Sequence, residues 1–242
     1  MTPLTRTPVT QAPTDRIAGW MPAGMLDWPG RLTATVFLAG CSLRCPFCHN
    51  PSLVSADNAE ASWTDLEKYL RTKRDWLDGV VITGGEPTDD PCIDVLLQRI
   101  GELGYPVKLD TNGSNPDTLE NLLATGLIAH VALDIKTTLG RYDALVGRSG
   151  TAMRVERTLT LLRRSGVSHE FRTTAYPGAV TIDDLPAIAG MLRGGDLYAI
   201  QQFVPDTTLD PRAGAVLPFR PDALHAIAKH CDRYLPTIVR GA

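Results

Sequence analysis

Six short runs rich in β-branched and other apolar residues, at 32–38, 80–83, 107–110, 130–134, 170–174 and 198–204, alternate along this chain with segments of helical spacing. Such alternation predicts parallel βαβ units joined by right-handed crossovers. The first intervening helix is the best marked. Ser62 stands as an N-cap with Asp65 three residues later, and Leu66, Tyr69, Leu70, Lys73 and Leu77 follow at helical intervals. Further helices are predicted near 93–103, 117–124, 153–164, 183–192 and 222–232. Six units are too few for an eight-stranded barrel, so the pattern allows an open doubly wound sheet or an incomplete barrel. Both place their ligands beyond the C-terminal ends of the strands. Four polar clusters follow apolar runs and would meet there: Cys41 after Val36-Phe37-Leu38, then Thr83-Gly84-Gly85-Glu86, Asp110-Thr111-Asn112-Gly113 and Asp134-Ile135-Lys136.

Composition narrows the partners. A net charge of −3 gives no basic field for a phosphate backbone, so nucleic acid is not expected. No apolar run reaches the ~18 residues of a membrane span, and the N-terminus lacks a signal-peptide layout. A soluble cytoplasmic protein is expected. The opening MTPLTRTPVTQAPTD has too few large apolar side chains to offset its ordering entropy. It predicts a flexible tail over 1–15 ahead of one domain over 16–242.

Three of the five cysteines fall within eight residues, unlike the dispersed even set of a secreted disulfide framework. Cys41, Cys45 and Cys48 are spaced C-x3-C-x2-C, close enough to wrap one metal centre. A four-iron cluster ordinarily takes four cysteines, so three would leave one iron open to a substrate. A closed zinc site would need a fourth ligand, for which only His49 is adjacent, and a redox disulfide is a further alternative. Cys92 and Cys231 stand alone and predict packed or half-exposed thiols. His130, His169, His225 and His230 show no metal spacing and predict structural or surface roles. Gly84 and Gly85 suit either a close backbone approach to a ligand or a tight βα turn.

With Phe47 as the aromatic, the cysteine loop resembles the C-x3-C-x-aromatic-C hallmark of the radical S-adenosylmethionine superfamily. Asp27-Trp28-Pro29-Gly30, the run Val36-Phe37-Leu38-Ala39-Gly40 and Cys48-His49-Asn50-Pro51 resemble, more narrowly, the anaerobic ribonucleoside-triphosphate reductase activating proteins and related glycyl-radical-enzyme activases. The resemblance covers about residues 16–205. It implies an α/β fold, a partial (β/α)6 TIM-like barrel, with Cys41, Cys45 and Cys48 holding a [4Fe-4S] cluster whose fourth iron takes S-adenosylmethionine. It further implies that Gly84, Gly85 and Glu86 bind the methionine amino group and that Lys136 faces the methionine carboxylate. Asp110, Thr111 and Asp134 would form a monovalent-cation or polar site, and Phe47 would pack on the adenine. Gln201 and Gln202 stand near the point where pyruvate formate-lyase activases are expected to carry a histidine.

The implied activity is reductive cleavage of S-adenosylmethionine to a 5′-deoxyadenosyl radical, with a low-potential electron donor. The implied target is a backbone glycine of a glycyl-radical enzyme, an anaerobic ribonucleotide reductase. Alternatives are a pyruvate formate-lyase-type activase, a radical enzyme acting on a small molecule, and a non-catalytic iron–sulfur or zinc module. After Val204 the sequence predicts one clear helix and little else to enclose a substrate.

Overall fold

The computed structural model describes residues 15–242. The expected flexible tail lies, except for exposed Asp15, outside the described residues. Eight strands form one sheet in chain order: β1 (Ile17–Gly24), β2 (Thr33–Leu38), β3 (Gly79–Gly84), β4 (Val107–Thr111), β5 (Ile128–Asp134), β6 (Ser168–Ala175), β7 (Leu197–Gln202) and β8 (Thr237–Arg240). β1 runs antiparallel to β2, and all later neighbours are parallel. The helices are α1 (Trp63–Thr72), α2 (Ile93–Glu102), α3 (Pro116–Ala124), α4 (Tyr142–Val146), α5 (Thr151–Ser165), α6 (Asp184–Met191), α7 (Pro211–Gly214) and α8 (Pro221–Cys231). The six predicted strands are β2 to β7. Their central residues, such as Val80, Val81 and Ile82, are fully buried, as strands of a parallel sheet covered on both faces must be.

The sheet curves. Lys108 of β4 contacts Glu170 of β6 across β5, and Arg240 of β8 contacts Glu170 across β7. Side chains from alternate strands meet only on a concave face, so the sheet is a partial barrel with β1 and β8 as its edges. Two strands escaped the sequence pattern. β1 carries Gly19, Pro22 and Gly24 and buries only Ile17 fully, while β8 has four residues and none fully buried. Neither gives a period to read. At α1 the Ser62 side chain accepts from Asp65 N as expected, but the helix stops at Thr72 rather than continuing to Leu77. The C-terminal remainder also does more than the sequence predicted. Asp210 N donates to Pro46 O at 2.9 Å, so the segment after Val204 lies against the cysteine loop.

Candidate active site

A cavity of about 440 Å³ opens at the C-terminal ends of the strands, within the usual range for small-molecule sites. All residues marked in the sequence line it: Cys41, Phe47, Cys45 and Cys48 from the loop after β2, Gly84, Gly85 and Glu86 after β3, Asp110 and Thr111 on β4, and Asp134 and Lys136 at the end of β5. Arg172 on β6 lines it too, although nothing in the local sequence had marked it. Cys92 and Cys231 are not among the lining residues; Cys231, the last residue of α8, packs into the core.

The cysteine loop is fixed along its length. Gly40 N and Cys41 N donate to Leu53 O and Val54 O at 2.8 and 3.1 Å, and Arg44 N donates to Val146 O at 2.9 Å. Cys48 N closes a turn onto Cys45 O at 3.1 Å. Leu43 N and Asn112 Nδ2 point at the Cys41 sulfur from 3.4 and 3.8 Å. Burial pushes the Cys41 thiol up to about 12 and raises Cys45 as well, partly offset there by Lys136. Burial of this kind disfavours a bare thiolate, and a cation bound at sulfur would offset it. Three soft sulfur donors, one of them with N–H groups aimed at it, fit an iron–sulfur cluster, and the donor set leaves room for a non-protein ligand in the cavity. Among the described residues no group of three or more His, Cys, Asp or Glu gathers closely enough to hold a single metal ion.

The Gly-Gly-Glu loop, which lines the cavity, also packs tightly against the end of β2. A Cβ on Gly84 would lie 2.3 Å from Leu38 O, and one on Gly85 would lie 2.2 Å from Gly40 O. The close approach these glycines permit is to the end of β2. Their loop's N–H groups are also engaged there, Gly85 N with Leu38 O and Glu86 N with Gly40 O, both at 2.8 Å. The Glu86 carboxylate is buried and takes four hydrogen bonds from the chain: Oε1 accepts from Thr88 N, Thr88 Oγ1 and Thr111 Oγ1, and Oε2 from Asn112 N at 2.6 Å. Burial raises its carboxyl to about 7 against the lowering effect of those donors. Three residues on, Asp89 Oδ2 accepts from Ser42 N at 2.7 Å. This turn therefore fastens the cysteine loop to β3 and β4.

Inside the barrel, charges alternate in a chain: Lys136, Asp134, Arg172, Asp110, Lys108, Glu170, Arg240. Lys108 is fully buried, and its Nζ also donates to Asp27 O at 2.6 Å. Burial by itself would raise the Asp134 carboxyl, but Arg172 and Lys136 hold it well below the usual range. Burial likewise disfavours the Lys136 ammonium, yet Asp134 more than offsets this and keeps it charged. Lys136 thus presents a fixed cation to the cavity.

Phe47 is buried with its ring stacked on Tyr176 at 5.0 Å, and Tyr176 meets Phe203 edge-on at 4.8 Å. Phe47 shares the cavity wall with the three cysteines. Next to Phe203, the Gln202 amide nitrogen donates to Phe203 O and Phe219 O, while its oxygen is buried without a partner.

An incomplete parallel barrel with three cysteines of one loop at its mouth defines a class. Residues 35–192 match the Radical SAM superfamily, and the chain belongs to it, a superfamily that works with a [4Fe-4S] cluster and S-adenosylmethionine. Within that class the chain is homologous to glycyl-radical enzyme activating enzymes. It is 30% identical over 233 residues to a Methanocaldococcus jannaschii protein provisionally assigned as such an enzyme, covering 92% of this chain and 94% of the relative. A pyruvate formate-lyase-activating enzyme of Clostridium pasteurianum is 36% identical over 121 residues, 47% of this chain and 49% of that one. The fold is shared with Streptococcus suis SuiB bound to S-adenosylmethionine, at a TM-score of 0.66 and 18% identity over 84% of this chain. The match spans about half of the SuiB chain (48%). Among the described residues no helix is long and apolar enough to cross a membrane.

Proposed function

We propose that the chain activates a glycyl-radical enzyme, with an anaerobic ribonucleoside-triphosphate reductase as its target. The observation that carries this reading is the convergence of Cys41, Cys45 and Cys48 with Lys136 and Phe47 on one cavity, the Phe47 ring being backed by Tyr176. The three thiolates hold the [4Fe-4S] cluster, and S-adenosylmethionine occupies the adjoining space. The bound pair supplies reductive cleavage to methionine and a 5′-deoxyadenosyl radical, an external low-potential donor providing the electron.

The chain's own residues bind, orient and exclude water. Lys136 Nζ, held at 2.8 Å by Asp134, offers a charge-assisted contact to the methionine carboxylate. The Phe47 ring, one face covered by Tyr176, gives the adenine an apolar border. Leu43 N and Asn112 Nδ2 stabilise charge on the Cys41 sulfur. The target glycine, having no side chain, approaches a recessed site with least obstruction. Gln201 and Gln202 in place of the expected histidine favour the reductase over pyruvate formate-lyase as target.

The test is electron paramagnetic resonance. The reconstituted chain, a strong one-electron reductant, S-adenosylmethionine and a candidate reductase are mixed under strict anaerobiosis. A glycyl doublet, absent when the partner's glycine is replaced by alanine, is expected. If 5′-deoxyadenosine forms but no doublet appears with a reductase or with pyruvate formate-lyase, a small-molecule substrate replaces the activase reading.

A further inference from the structure

The resemblance implies a monovalent-cation or polar site among Asp110, Thr111 and Asp134, and the residues present fit the polar site and not a bound ion. All four oxygens of the two carboxylates are engaged by cationic nitrogens. Asp110 Oδ1 meets Lys108 Nζ at 2.7 Å and Oδ2 meets Arg172 Nη1 at 2.8 Å. Asp134 Oδ1 meets Arg172 Nε and Oδ2 meets Lys136 Nζ, both at 2.8 Å. Thr111 Oγ1 is engaged as well, donating to Glu86 Oε1 at 2.6 Å and accepting from Gly113 N at 3.1 Å. Lys108, Arg172 and Lys136 already neutralise the two carboxylates, so a metal ion between them would meet the repulsion of three neighbouring cations and oxygens that each already accept a charge-assisted hydrogen bond.

We propose that Arg172 is the resident cation of this site, a positioning residue whose guanidinium does what a bound monovalent ion would do. This inference rests on the S-adenosylmethionine site proposed above. The guanidinium offers separate N–H groups in a rigid plane, which lets one side chain bridge carboxylates on two different strands. It is anchored by its own backbone, since Ile135 N donates to Arg172 O at 2.7 Å. By fixing one oxygen of Asp134 it turns the other toward Lys136. The ammonium is thereby aimed at the cavity without any ion from solution, and binding of S-adenosylmethionine is independent of monovalent cations.

The experiment titrates S-adenosylmethionine into the anaerobically reconstituted holoenzyme in sodium, potassium and tetramethylammonium chloride at equal ionic strength. The wild-type Kd is expected to agree within about twofold across the three salts. Arg172→Ala, with iron content unchanged, should bind about tenfold more weakly in tetramethylammonium and recover in sodium or potassium, because the vacated space admits a small ion. Arg172→Lys should fall between, since one ammonium cannot bridge both carboxylates equally well. A merely structural arginine would not be rescued by a choice of salt. Wild-type binding about tenfold weaker in tetramethylammonium than in sodium overturns the inference, as does Arg172→Ala with wild-type affinity in tetramethylammonium. If Arg172→Ala does not fold, the wild-type series decides alone. No binding in any salt overturns the proposed function itself, and this inference with it.

Discussion

Glu86 Oε1 and Thr111 Oγ1 stand 2.6 Å apart and join the loop after β3 to the end of β4. The carboxylate at the centre of this joint is buried and is shared among Thr88, Thr111 and Asn112. Its loss leaves several buried donors without an acceptor. Glu86→Ala should destabilise the apoprotein by about 3 kcal/mol in urea or thermal melts. A variant that melts like wild type and loses only S-adenosylmethionine affinity would make Glu86 a ligand contact instead.

Gly84 has φ +125°, and an added Cβ would meet backbone atoms of Leu38 that cannot move aside. Gly84→Ala should cost about 3 kcal/mol or more and lower soluble yield. Gly140, whose added Cβ meets nothing within 4 Å, is the control; its alanine variant should stay within about 0.5 kcal/mol of wild type. Equal melting of the two variants would remove the packing argument.

The cysteines divide into two groups. Alanine at Cys41, Cys45 or Cys48 should abolish retention of an intact cluster after anaerobic reconstitution, as measured by iron and sulfide content. Cys92→Ala should retain it. Cys231→Ala should also retain it while losing about 1 kcal/mol of stability, because the fully buried sulfur fills core volume. Iron loss in Cys92→Ala would end the assignment of three ligands.

His130 provides a pH signature away from the cluster. Burial lowers it from 6.5 to about 4. The unfolded chain therefore binds more protons than the folded one between those values, and stability must fall as pH drops through that window. The loss should be on the order of 2 kcal/mol, and His130→Gln should flatten it in melts of the apoprotein. An identical slope in the variant would show that other groups govern the acid limb.

The sequence by itself determined the parallel core, β2 to β7, because strands covered on both faces must read as apolar runs whatever surrounds them. It also marked many of the residues that line the cavity. Cys41, Asp110 and Asp134 each lie at or just beyond the end of such a run, and parallel strands bring those ends to one rim. Tertiary structure decided what these residues do to one another. Glu86 became a tie because burial brought Thr111 and Asn112, from the next strand, within hydrogen-bonding distance. Arg172 joined the site from mid-β6, where a lone arginine has no local signature; curvature carries it across β5 to Asp110. β1 and β8 were illegible because edge strands bury little, and burial is what writes a period into a sequence. Local pattern fixes which residues reach the rim, but pairing among charged groups depends on distances between strands, which only the curvature of the sheet sets.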